Sequence, residues 1–481
     1  MEAKIEKRLS FFGGPVVSFL PFIIFLILIV TFTFGMGSIS DGALWLPAFL
    51  GMLITFFLAK DKKQYGETII AGMAKKDSIV PVVCWIYAGV FSRILRESGL
   101  ADGIAGVCTR LGISATPFIV VTFIATAVFA TASGTGFGTI AAGMGVLYPA
   151  GVALGGHPAL IAGAVISGAA LGDNLAPVSD TTIVSATTQG VDVPGVVRSR
   201  VKYVIPAAII SIIAFLILGM SLNSGASAAV EAEYDSKTLL MLIPVVLTIL
   251  IAIKTGDIIV ATSYGILFGA AVGMMIGVFD FIHIDPSGSE TGIPLIRIAG
   301  EGLDRTVDGV FLSGLSSMLQ VIMLALLLFG SIEIMVAGGG TELLLDKLNV
   351  MVKGPVSAEM VISMMVMILA GLMGLNAPAI LAVGPSFGKP LADKYGISRY
   401  RMANIMDAQS NVLAYTLPWT PAIIYTVGFA TDGAAPLATT EIWPFVIYGW
   451  ALLVVMMFSI FTGWGRHESG ESTFEKKPAT K

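Results

Sequence analysis

Charge, sulfur and imidazole are all scarce in this chain. Only 12% of its 481 residues are Asp, Glu, Lys or Arg, with 2 cysteines and 3 histidines, whereas an ordinary soluble domain has about 25% charged residues. Cys84, in an apolar run, and Cys108, in a connector, offer neither a disulfide framework nor the paired spacing of a metal site. There is no Ser/His/Asp set, no His/Cys cluster and no H-E-x-x-H run, so nucleophilic and metal-dependent catalysis lack their residues and the chain does not read as an enzyme. A net charge of −4 without a basic block gives nucleic acid nothing to bind. His157, His283 and His467 are connector or tail residues. Nucleotide loops are excluded too: Ser133-Gly-Thr-Gly-Phe-Gly-Thr139 is not G-x-G-x-x-G, and Gly384-Pro-Ser-Phe-Gly-Lys389 has the wrong spacing for a P-loop.

What is abundant is apolar length. Hydrophobic residues make up 56% of the chain and the mean hydropathy is +0.88. A helix needs about 20 apolar residues to cross a bilayer, and fourteen runs from 15–35 to 442–464 approach that length. The first is too long for a signal-peptide core and reads as a mature span. The runs 158–188 and 399–430 are too long and too polar in the middle, which predicts broken helices or hairpins. The fold class is therefore an all-α polytopic membrane protein with twelve to fourteen transmembrane segments.

Lys and Arg mark the cytoplasmic side. Lys4, Lys7 and Arg8, the 60–78 connector, Arg198, Arg200 and Lys202, the 389–401 connector, and Arg466 with the tail all fall on one side. Both termini are thus expected in the cytoplasm. Acidic connectors, with Glu231 and Glu233 or with Asp280 and Asp285, fall opposite. Arg93, Arg96 and Arg110 break the pattern, as an interfacial segment or a miscounted span would.

An ungapped offset of 241 aligns Gly143 with Gly384, Pro149 with Pro390, Gly155 with Gly396 and Pro177 with Pro418. Each half holds seven apolar segments, an odd number, so the second half enters the membrane from the other side. This is the inverted-topology repeat of secondary transporters, whose sites lie at the midplane where discontinuous helices meet. The expected boundaries are a cytoplasmic 1–14, a first repeat 15–222, an extracytoplasmic linker 223–237, a second repeat 238–464 and a cytoplasmic tail 465–481.

The chemistry clusters at the two prolines. Around Pro177 stand Asp173, Asn174, Ser179, Asp180, Thr181 and Thr182, the carboxylate, hydroxyl and carbonyl oxygens that hard cations prefer. An ionised side chain at bilayer depth costs roughly 2.5–3.5 kcal/mol. Two acids beside a helix breaker therefore predict a hard-cation site at Asp173 and Asp180. Around Pro418 stand Asn404, Asp407, Ser410, Asn411, Thr416 and Trp419. The three- and four-residue steps of Asn404, Asp407 and Asn411 put them on one helix face. Upstream, Thr135 and Thr139 match a junction containing Asn376, and these complete the wall that the second repeat and a solute would use. Glu333 is an intramembrane acid and a candidate proton carrier.

Gly172-Asp-Asn-Leu-Ala-Pro-Val-Ser-Asp-Thr-Thr182 with Ser133-Gly-Thr-Gly-Phe-Gly-Thr139 upstream resembles the signature of the NhaC-type Na+/H+ antiporters of the ion transporter superfamily. The family form is close to Gly-Asp-Lys-x-Ser-Pro-x-Ser-Asp-Thr-Thr, so Asn174 stands for a lysine and Ala176 for a serine. The resemblance implies a secondary transporter of the bacterial inner membrane using Na+ or H+; the leading expectation is exchange of Na+ for H+ by alternating access, with Na+ held at Asp173 and Asp180. The alternative is a Na+-coupled symporter or exchanger of a small organic solute such as an amino acid or carboxylate. No cofactor is expected beyond the transported or coupling Na+ and H+. The expected partners are membrane lipid, those ions, a small organic solute in the alternative, and a second copy of the chain if it works as a homodimer.

Overall fold

The structure is a computed structural model that describes residues 8–32, 42–177, 179–222, 235–255, 257–285, 292–300, 304–431 and 435–466. Linker residues 223–234, with Glu231 and Glu233, and the tail from His467 lie outside the described residues.

Helices dominate because apolar runs in a bilayer must satisfy their own backbone. Among the described residues nine helices are long and apolar enough to cross a membrane, or ten if the bent pair Thr439–Phe445 and Ile447–Thr462 is one span. Three shorter apolar helices, Pro15–Leu28, Trp45–Leu58 and Ser236–Ala252, accompany them. The expected twelve to fourteen crossings are reached when these shorter helices also cross. The Leu100–Arg110 helix, with Leu100, Gly103 and Ala105 buried, lies between two spans and carries Arg110. Nearby, Arg93 pairs with Glu97 at 3.0 Å. One departure from an all-helical chain is a small sheet in the connector after residue 279. There Asp280–Asp285 pairs in parallel with Pro294–Ala299, which pairs antiparallel with Thr306–Asp308. Its β-branched alternation, with Ile282 opposite Ile296, suits a pleated surface, although the acidic residues dominate the segment in the sequence.

The two halves share one sequence of elements. Ala115–Ser133, Gly136–Ala153, Pro158–Leu175 and Asp180–Gln189 in the first are followed in the second by Pro355–Met373, a helix starting with Asn376–Val383, Arg399–Thr416 and Pro421–Thr431. The starts differ by 240 (355 − 115) or 241 (399 − 158) residues. In each half the first two helices are joined by a glycine in the left-handed region, Gly134 at φ 68° and Gly374 at φ 64°, where a side chain would be strained. The second copy of the 136–153 helix is less regular: Gly384–Gly388, containing Pro385, winds as a π-helix before Lys389–Tyr395.

Pro158–Leu175 runs through the middle of the bundle, buried from Ala159 to Asn174. It packs on Ala115–Ser133 at nearly backbone distance: a Cβ on Gly172 would sit 2.3 Å from Ala130 Cβ and 2.4 Å from the Ala127 carbonyl. Small residues permit this approach in membranes. The Val193–Leu222 helix is peripheral, with Ile205, Ile209, Ile213 and Ile217 exposed at four-residue steps. That stripe is a lipid-facing surface.

Candidate functional site

Both broken helices obey the rule that the residue before proline is extended. Ala176, before Pro177, has φ −68° and ψ 123°; Leu417, before Pro418, has φ −77° and ψ 140°. Helix resumes at Asp180 and at Pro421. Proline has no N–H to give to the carbonyl four residues earlier, and for Pro177 that carbonyl belongs to Asp173. Asp173 is 4% exposed. One of its carboxylate oxygens accepts from Ser179 Oγ at 2.8 Å and the other from Tyr415 Oη at 3.2 Å. Ser179 Oγ in turn lies 3.0 Å from Thr181 Oγ1, and both residues are buried.

The second acid is a hub. Asp407 sits on Arg399–Thr416 and is fully buried. Its Oδ1 accepts from Asn174 Nδ2 at 3.1 Å and Asn411 Nδ2 at 3.0 Å. Its Oδ2 accepts from Thr182 Oγ1 and Ser185 Oγ, each at 3.3 Å. Arg200 Nη2 lies 2.6 Å from the same oxygen, an ion pair whose approach is off the hydrogen-bond direction. Arg200 is itself fully buried. It donates through Nε to Asn404 Oδ1 at 2.9 Å and through Nη1 to Thr182 Oγ1 at 2.9 Å and to the Asn174 carbonyl. Tyr448 Oη reaches Asn174 Oδ1 at 3.3 Å.

The helix junctions close on this core. A Cβ on Gly136 would stand 1.9 Å from Tyr415 Oη, so the 134–136 turn abuts the hydroxyl that contacts Asp173. At the other junction Asn376 Nδ2 donates to Asn411 Oδ1 at 2.7 Å, joining it to Asp407 through one amide. Several expected wall residues are engaged locally. Thr135 caps its helix on Gly138 N at 3.2 Å, and Thr139 donates to the Thr135 carbonyl at 2.8 Å. Ser410 donates to the Asp407 carbonyl at 2.8 Å, Thr416 to that of Val412, and Trp419 Nε1 to that of Gly371 at 2.9 Å.

Three expected residues lie where the sequence did not place them. Asp180 is exposed, with its own Oδ1 accepting from Thr181 N at 2.8 Å; it opens the second half-helix, across the Pro177 break from Asp173. Arg200, counted among cytoplasmic charges, lies two turns inside the Val193–Leu222 helix at the site. Glu333 is ion-paired to Lys75 and lines an open cleft of about 640 Å³ with Arg8, Asp61 and Glu342, apart from the proline breaks. Sequence reasoning also missed Tyr415, although it continues the Asn404, Asp407, Asn411 face by one more turn.

Two interrupted helices in an apolar bundle, with acids, amides and hydroxyls at the interruptions and the same element order in both halves, define a secondary transporter. The chain belongs to the Na+/H+ antiporter family, whose family model matches residues 2–220 and 195–464. It is similar to the malate-2H+/Na+-lactate antiporter of Bacillus subtilis, with 25% identity over 84% of this chain and 86% of the relative. It is also similar to the Na+/H+ antiporter NhaC of Alkalihalophilus pseudofirmus, 27% identical over 52% of this chain and 63% of that one. A third relative is the arginine/ornithine antiporter ArcD of Halobacterium salinarum, 24% identical over 70% and 69%.

Proposed function

We propose that the chain exchanges Na+ for H+ across a bacterial plasma membrane, with Asp173 as the carboxylate for which the two ions compete. The observation that carries this is the shell of Asp173: a buried acid whose two oxygens meet, among the described residues, the hydroxyls of Ser179 and Tyr415. A hydroxyl that donates to an empty carboxylate can turn and present its lone pairs to a cation. Thr181 Oγ1 and the Asp173 carbonyl freed by Pro177 complete an oxygen set suited to Na+. Alternating access then moves one repeat against the other around this point. We place both termini in the cytoplasm on the Lys/Arg distribution.

The test is purified protein in liposomes with a pH dye inside. Na+ added alone should move protons, and Asp173→Asn should abolish that signal while its thermal unfolding in detergent stays near that of the parent chain. Full exchange by the Asn variant would remove Asp173 from this role. A second reading, exchange of a small organic solute, is favoured by Gln409, fully buried with neither side-chain atom hydrogen-bonded among the described residues, and by the dicarboxylate and amino-acid names of two relatives. In that case proton movement appears only when malate, lactate or arginine is added with Na+.

A further inference from the structure

Two buried carboxylates lie close together in this core, and their shells differ in kind. Asp407 is met by two amide nitrogens, a guanidinium and two hydroxyls. Amide and guanidinium nitrogens are donors with no lone pair to offer a cation. Even Thr182 is committed, because its oxygen accepts from Arg200 Nη1 at 2.9 Å while it donates to Asp407. Asp173, among the described residues, is met by hydroxyls.

Arg200 is also built in by the chain break. The carbonyls of Asp173, Asn174 and Leu175 are the last ones before the interruption at Ala176–Ser179, and Arg200 Nη1 takes that of Asn174. Nε and Nη2 engage Asn404 and Asp407 on the second-repeat helix. One guanidinium thus ties both repeats together and neutralises one of the two acids. Moving it would leave a buried charge on each partner, which is costly.

Resting on the reading of Asp173 as the exchange carboxylate, we infer that Arg200 is a fixed internal counter-cation that holds Asp407 out of the ion traffic, so that a single carboxylate sets the coupling ratio. Arg200 is a positioning residue, acting through Asp407.

The experiment measures Na+ dependence and the zero-flux point of opposed Na+ and pH gradients for the full chain in liposomes. The parent chain gives a hyperbolic Na+ dependence. Arg200→Gln frees Asp407 as a second acidic site: the Hill slope rises from about 1 toward about 2, as coupled sites require, and the zero-flux point shifts. Arg200→Gln/Asp407→Asn, which removes both charges together, returns the hyperbola and the parent zero-flux point, at a lower rate. A hyperbola with the parent zero-flux point in Arg200→Gln overturns the inference, and so does loss of all exchange in the double variant, since Asp407 would then be an exchanging acid. If Arg200→Gln does not reach the membrane, the double variant decides alone. Asp173→Asn runs alongside: full exchange there condemns the assignment of Asp173, a failure distinct from either outcome at Arg200.

Discussion

At the residue scale, Pro177 acts through the hydrogen it lacks. The carbonyl it orphans is that of Asp173, so one residue brings a carboxylate and a main-chain oxygen to the same place. Restoring the donor with Pro177→Ala should raise the half-saturating Na+ concentration by about fivefold, on the order of the ~1 kcal/mol of a neutral backbone hydrogen bond. An unchanged Na+ dependence in exchange assays would show that the carbonyl plays no part. Asp173 was legible in the sequence because an acid in an apolar run is costly at that depth unless something there neutralises it, and the adjacent breaker marks where that happens. Asp180 stands out for the same reason; what the sequence does not show is that it opens the second half-helix with its side chain exposed. Arg200 was hidden because a lysine- and arginine-bearing connector and the first turns of a helix look alike in one dimension, and its partners Asn174 and Asp407 are 26 and 207 positions away (200 − 174, 407 − 200).

At the scale of elements, the start of the Val193–Leu222 helix is pinned to the opposite repeat. Tyr400 Oη donates to Asp192 Oδ1, and Gly195 N donates to Oδ2 at 2.7 Å. The Tyr400 hydroxyl first, and then the Gly195 amide, hold the Asp192 carboxyl below its ordinary value. A depressed acid stabilises the fold above its unfolded value of about 3.9 and loses that contribution as pH falls through the lower folded value. Asp192→Asn should therefore lower the unfolding temperature at pH 6, with the gap to the parent chain closing as the pH drops below about 4. A gap as wide at pH 3 as at pH 6 would assign the effect to something besides this carboxylate. Helix breaks were readable from length and proline alone, and both fell at the expected prolines. The small sheet was not, since its strands lie in a charged connector and are short enough to pass for loop.

Across the whole molecule a second buried charge cluster fastens the helices that carry Arg200 and Asp407 to their neighbours. Glu359 accepts from Arg401 Nε at 2.6 Å and from Arg466 Nη2 at 2.9 Å, and Arg401 also reaches Tyr203 Oη at 2.9 Å and Ser459 Oγ at 2.8 Å. Four helices and the start of the tail meet there. Glu359→Gln leaves two arginines without their carboxylate, and breaking a buried pair costs about 3–5 kcal/mol. A detergent unfolding midpoint within a degree or two of the parent chain would contradict that weight. Glu359 does not stand out in the sequence, because its partners come from 42 and 107 positions away. The Val193–Leu222 helix carries a different consequence. The rod that delivers the Arg200 guanidinium inward presents isoleucines outward to the acyl chains, so hydrocarbon thickness has a mechanical route to the ion path. Bilayers that force this rod to tilt should alter turnover in graded steps with acyl length, and a flat response across such lipids would mean the rest of the bundle holds it rigid.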